Sequence, residues 1–178
     1  MMISVLRFKY LFTVIFLTIG ITLWLSYPRY YQFNGPVFGT YYKIIVVAPK
    51  YAFNEKKTNE SIQLYLKNFD KIFSTYRDDS EIMKLNQADI GHPVQLDPKL
   101  VAIISLSKTL QNRLGPVWDP TIVPISQKYG FKTTSLTKTL KVGLNYLSII
   151  NETQVKKLEH IALDLSSIAK GVAVDGLS

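Results

Sequence analysis

Residues 10–27 form a stretch of 18 residues without a charged side chain, and no other feature restricts the folding of this chain as strongly. A helix through it, at ~1.5 Å per residue, covers about 27 Å, close to the ~30 Å hydrocarbon core of a bilayer. Arg7 and Lys9 precede the stretch, and Trp24, Tyr27, Tyr30 and Tyr31 gather at its far end, where aromatic rings favour a membrane–water interface. Core helices seldom run this far without a polar face. Only Arg29 follows closely, so the basic residues point to an N-terminus inside the cell. No small-residue cleavage site follows, which favours an uncleaved anchor over a removed signal peptide. The expected organisation is a cytoplasmic tail at 1–9, a transmembrane anchor at 10–27, a linker at 28–36 and one domain over 37–178.

The absence of cysteine excludes a disulfide scaffold, a thiolate zinc site and a cysteine nucleophile. The net charge of +8 raises nucleic acid as a partner, but the lysines are scattered and no basic stripe interleaves with aromatic residues. No nucleic-acid partner is expected. His92 and His160 lie far apart in sequence and read as surface or hydrogen-bonded side chains.

Residues 39–47 read as a strand, rich in β-branched and aromatic side chains and stopped by Pro49. Ile62, Leu66, Phe69 and Phe73 follow at steps of four, three and four, the spacing of an amphipathic helix. Asn54 or Thr58 would cap its entry, and Ser80 would cap a short turn over 82–85. Asp97-Pro98 opens a third helix, with Leu100, Ile103, Ile104, Leu106, Leu110 and Leu114 as its apolar side and Gly115 as its stop. Asp119-Pro120 repeats that opening for a short helix ending before Gly130. Two strand-like pieces, 146–150 and 161–165, lead to the C-terminal motif. Strands and helices mix without a regular βαβ rhythm, so the fold class is α+β.

Each polar motif has a plain structural reading beside its chemical one. Asp78, Asp79 and Glu81 resemble a paired-acid site, yet acids are favoured at a helix entry by its dipole, and solvated capping acids are the better account. Asp119 is, on pattern, a helix cap. The segment Asp164-Leu165-Ser166-Ser167-Ile168-Ala169-Lys170-Gly171 is less easily dismissed, because it places a carboxylate, two hydroxyls and a lysine where a helix opens. Helix N-termini gather N–H groups around phosphate. Ser167 or a nearby carbonyl would offer one oxygen to Mg²⁺, which takes few protein ligands. The pattern lacks the glycine spacing of a Walker A loop. On residue chemistry alone, phosphate binding and a plain strand-to-helix turn are equally good accounts.

Four motifs in order carry a family resemblance: Phe38-Gly39-Thr40; Ser74-Thr75-Tyr76 leading to Asp79-Ser80-Glu81 and Asn86; Asp119-Pro120-Thr121-Ile122-Val123-Pro124; and 163–171. From about residue 34 to the end the chain resembles the FAD:protein FMN transferases, the ApbE family once described as thiamine-biosynthesis lipoproteins. The resemblance implies an Mg²⁺-dependent enzyme that cleaves FAD and attaches FMN through a phosphoester to a threonine hydroxyl of a flavoprotein. It implies a bacterial inner-membrane protein facing the periplasm, whose acceptor is a subunit of a membrane respiratory complex. It places Phe38 and Tyr76 near the flavin, Val117, Trp118 and Asp119 along FAD, Asp164 and Lys170 at further FAD contacts, and Ser167 as a magnesium ligand. Family members are roughly twice as long, so the domain reads as truncated, with its catalytic residues expected in the absent half. An inert, membrane-anchored flavin-binding module and a truncated pseudogene product are the alternatives.

Overall fold

The computed structural model describes residues 2–130 and 140–177. Two compact units divide the chain: one runs to Pro36 and takes in Tyr41–Ser61, and the other holds Val37–Thr40 and everything described from Ile62 onward.

In the first unit, α1 (Met2–Ser26) is followed by the strands β1 (Pro28–Val37) and β2 (Thr40–Pro49), which form a two-stranded sheet. The Arg29 guanidinium and the Lys50 ammonium lie over the Trp24 ring, 5.1 Å and 5.5 Å from its centroid. Phe33 is buried, with Tyr31 and Phe33 packing on Phe53.

One expectation for this unit, the membrane span, needs correction. Among the described residues no helix is long and apolar enough to cross a membrane. From Tyr10 to Ser26, α1 carries Thr13, Thr18 and Thr22 on an otherwise mostly apolar surface. The Thr18 and Thr22 hydroxyls interrupt that surface and turn back onto the carbonyls of Ile15, Thr18 and Ile19. The transmembrane anchor, and membrane attachment through it, are therefore withdrawn. Residues 2–9 are part of the same helix, and 28–36 lie in β1.

The helix α2 (Glu55–Phe73) starts where Asn54 Oδ1 accepts from the Lys57 N–H at 3.0 Å, so Asn54 is its cap. It buries Ile62, Leu66, Phe69, Ile72 and Phe73, the face its sequence spacing predicts. The second unit then contains α3 (Glu81–Gln87), β3 (Pro93–Gln95), α4 (Pro98–Leu114), α5 (Val123–Lys128), β4 (Leu147–Asn151), β5 (Gln154–Lys157) and α6 (Ser166–Asp175). The strands form one antiparallel sheet in the order β3-β5-β4, with Val155 opposite both Val94 and Ile149 and an irregularity between Ile149 and Asn151.

Helices and sheet enclose one core, in which Ile82, Leu85, Leu100, Ile104, Leu147 and Val155 are almost wholly buried. Burial of each such side chain contributes about 1.5–3 kcal/mol. The mixed helix and strand content agrees with the α+β expectation. Leu106 and Leu114 do not: both are exposed on α4, because the apolar stripe is wider than the face the core covers.

Residues 161–165 are also not a strand. Ile161, Ala162, Leu163 and Leu165 are all buried, but Leu163 bonds to a side-chain amide instead of a neighbouring strand. Asp119-Pro120 likewise opens no helix, since α5 begins only at Val123.

The mouth of α6 and the hairpin tip

The last unladdered segment is held from two sides. Asn86, buried at the end of α3, donates Nδ2–H to the Leu163 carbonyl at 3.0 Å, and its Oδ1 accepts from the Leu163 N–H at 2.8 Å. The next N–H, that of Asp164, donates to the Pro120 carbonyl at 2.8 Å. Asp164 Oδ1 then accepts from the Ser166 N–H at 2.9 Å, turning the chain into α6. Leu165, the residue before the helix, has no side chain able to cap it. The positive end of the α6 dipole therefore opens beside the Asp164 carboxylate and two serine hydroxyls.

The Pro120 contact delivers the second motif. Asp119 is half-buried and held on both oxygens: Oδ2 accepts from Gln111 Nε2 at 2.6 Å, and Oδ1 accepts from the Thr121 N–H at 2.8 Å and the Thr121 hydroxyl at 2.6 Å. Thr121 is fully buried, and its Oγ1 accepts in turn from the Gly143 N–H at 2.6 Å. Asp119 thus organises its loop as a multiple acceptor, consistent with the capping account in character though not in helix geometry. Trp118 donates its indole N–H to Ser167 Oγ at 3.3 Å. Val117 is 84% exposed, and Lys170 is exposed one turn further along α6.

A second group forms where the β1–β2 turn meets the loop before α3. Phe38 and Gly39 have φ of 49° and 67°, the positive pair typical of a type I′ hairpin turn. Positive φ is uncommon for a residue as bulky as phenylalanine. The Phe38 ring packs edge-on against Phe69, with centroids 5.6 Å apart. Gly39 lies against the Tyr76 ring so closely that a Cβ there would stand 3.1 Å from ring carbons. Tyr76 is 65% exposed. Its N–H donates to Ser74 Oγ at 3.3 Å, and the Ser80 hydroxyl donates to the Ser74 carbonyl at 2.6 Å while accepting from the Met83 N–H at 3.2 Å.

Trp118, Asp119, Asp164 and Ser167 are therefore gathered at one helix mouth, with Lys170 on the same helix, and Phe38 and Tyr76 at the hairpin tip. The acids before α3 serve another purpose. Asp79 forms a two-point pair with Arg77 at 2.9 Å and 2.7 Å, and Arg77 also reaches Asp70 at 3.5 Å. The hydrogen bond from Arg77 holds the Asp79 carboxyl below its ordinary pKa. Glu81 accepts from the Asp97 N–H at 3.3 Å.

Among the described residues no three histidine, cysteine or acidic side chains are grouped to hold a metal ion. The donor set fits Mg²⁺ only in part: Ser167 is exposed and offers one neutral oxygen, whereas a six-coordinate cation takes its other oxygens from substrate, water or further ligands. Gln111 and Gly143 escaped the sequence reading, and Thr121 entered it only as a motif member, because their roles depend on a loop whose path no local pattern specifies.

A model of the ApbE family matches residues 38–178. The chain is 26% identical over 153 residues to an FAD:protein FMN transferase of Vibrio cholerae, covering 80% of this chain and 46% of that protein. It is 28% identical over 136 residues to one of Haemophilus influenzae, covering 67% and 39%. Among solved structures it is similar to the flavin transferase ApbE from Vibrio cholerae, with a TM-score of 0.75 at 24% identity, over 84% of this chain and 52% of that one. The apo flavinyl transferase ApbE of Pseudomonas stutzeri gives a TM-score of 0.73 at 23% identity, with coverage of 84% and 52%. The chain spans about half the length of these relatives.

Proposed function

Because this chain belongs to the ApbE family, we propose that it forms part of an FAD:protein FMN transferase and supplies the flavin-nucleotide side of the reaction. A hydroxyl oxygen of the acceptor flavoprotein, in the fullest form of this reading a threonine, bonds to the FMN phosphorus. The bond linking that phosphorus to AMP breaks, AMP departs, and the hydroxyl gives up its proton. Such transfer depends chiefly on positioning and on stabilising charge around the phosphoryl group.

The observation that carries the reading is the convergence at α6: Pro120 meets Asp164 and Trp118 meets Ser167, joining two distant motifs at a helix N-terminus suited to phosphate. The roles divide by chemistry. Phe38 and Tyr76 present aromatic surface to the isoalloxazine. Val117, Trp118 and the immobilised Asp119 line the nucleotide. Asp164 accepts from ribose or base, and Lys170 offers positive charge to the diphosphate. Ser167 offers its hydroxyl to Mg²⁺, which when bound neutralises charge on the transferring phosphoryl group.

The test is release of AMP from FAD, and transfer of FMN to an acceptor, by the full native polypeptide with and without Mg²⁺. Mg²⁺-dependent release and transfer support the reading. FAD binding with no turnover under either condition replaces it with a flavin-binding module, and no binding at all ends both.

A further inference from the structure

The first and last contacts of α3 attach to different halves of the candidate site. At its entry, Ser80 bonds to the Ser74 carbonyl beside Tyr76. At its exit, the Asn86 amide matches both backbone groups of Leu163. Five residues separate Ser80 from Asn86, a rise of about 9 Å along the helix.

The Asn86 contact is unusually complete. One side chain donates to and accepts from a single residue, as a neighbouring strand would, and Nδ2 also reaches Met83 Sδ at 3.8 Å. The Asn86 main-chain carbonyl accepts from the buried Lys157 ammonium at 2.7 Å, so the amide is anchored from behind. Beyond Leu163 the chain passes directly to Asp164, Ser166 and Ser167.

We propose that Asn86 is a positioning residue for flavin-nucleotide binding, setting through Leu163 the placement of Asp164 and of the Ser167–Trp118 contact. The proposal rests on the flavin-transferase reading for its ligand, and on the hydrogen bonds alone for its geometry. Asn86 touches no substrate in this scheme. It makes α3 a strut, with Tyr76 tied to one end and the mouth of α6 to the other.

Asn86→Asp tests this with little change of shape. The carboxylate still accepts from the Leu163 N–H but sets an oxygen against the Leu163 carbonyl, where a donor was. Two readings are taken on the full chain: FAD affinity by fluorescence titration, and the indole N–H resonance of Trp118 by NMR, distinguished from Trp24 with Trp24→Phe. The expected result is FAD binding weakened about tenfold together with a shifted Trp118 resonance. Val101→Ala, a buried core truncation on α4, is the control: it lowers thermal stability and leaves both readings unchanged. Where Asn86→Asp does not fold, Asn86→Ser removes the amide without adding charge and yields the same two readings. A folded Asn86 variant with unaltered affinity and an unaltered Trp118 resonance overturns the proposal. A shift of both readings in Val101→Ala also overturns it, since general loosening would then explain the effect. If the unmodified protein binds no FAD, the flavin reading fails, and the Trp118 resonance alone still decides whether Asn86 sets the mouth of α6.

Discussion

Trp118 and Ser167 lie 49 residues apart in sequence, and the indole N–H of one donates to the hydroxyl oxygen of the other at 3.3 Å. The bond ties an otherwise exposed loop to the first turn of α6. It also orients Ser167 Oγ, leaving acceptor capacity on the oxygen for a cation.

Ser167→Ala is therefore expected to change stability by less than about 0.5 kcal/mol, since the side chain is exposed. If the proposed function holds, Mg²⁺-dependent AMP release falls by about 10–100-fold or more, the scale seen when even the partners of metal ligands are removed. Parallel urea titrations and AMP assays check both halves. Wild-type turnover in Ser167→Ala would remove the serine from the metal's ligands.

Thr121→Val should act through stability. It keeps the shape but removes the hydroxyl that links Asp119 to the Gly143 N–H, leaving a buried donor unsatisfied at a cost of about 1–3 kcal/mol. Denaturant unfolding measures the loss, and an unchanged midpoint would mean that water replaces the hydroxyl.

Gly39→Ala combines two penalties. The positive φ disfavours any side chain by roughly 1–2 kcal/mol, and the new methyl meets the Tyr76 ring at 3.1 Å. Loss of about 1 kcal/mol or more is expected, with weaker FAD binding because Tyr76 must move. Unchanged FAD affinity in the destabilised protein would place Tyr76 outside the flavin contact.

Tyr65 gives a pH prediction. Burial first, and the Asp175 carboxylate second, raise its phenol above the ordinary value near 10. A raised folded pKa means that the folded state holds the proton more tightly. Its stabilising contribution is complete below about pH 10 and is lost as pH rises through the folded value. Tyr65→Phe should flatten this part of the alkaline stability curve, as denaturation at a series of pH values would reveal. An identical alkaline decline in both proteins would assign it to other groups.

Local rules made some parts of this structure legible and left others hidden. The α2 face, the Asn54 and Asp97 caps, and the Gly115 stop follow from spacing and capping chemistry confined to one turn. Residues 161–165 are as apolar and as buried as a strand, but pairing is a tertiary property, and the partner proved to be Asn86. Asp119-Pro120 carries the same dipeptide as Asp97-Pro98, yet its carboxylate turns to Thr121 and Gln111 because the following residues take another path. The apolar run over 10–27 formed a helix, as its composition favours, while the span inferred from it did not hold. The C-terminal motif and the aspartate loop were recognisable as polar motifs, but their meeting across the fold was not encoded in either alone.

The Asn86–Leu163 clamp also limits how this region tolerates changes of length. A segment zipped into a sheet can slip by two residues and keep its inward and outward pattern. One amide grips one residue, so 161–165 is indexed and not zipped. A single insertion between Lys157 and Leu163 would either break both bonds to Asn86 or bring another residue into its grip, displacing Asp164 from Pro120. The β4–β5 turn at 152–153 lies outside that constraint and should absorb added residues with far less effect on the helix mouth.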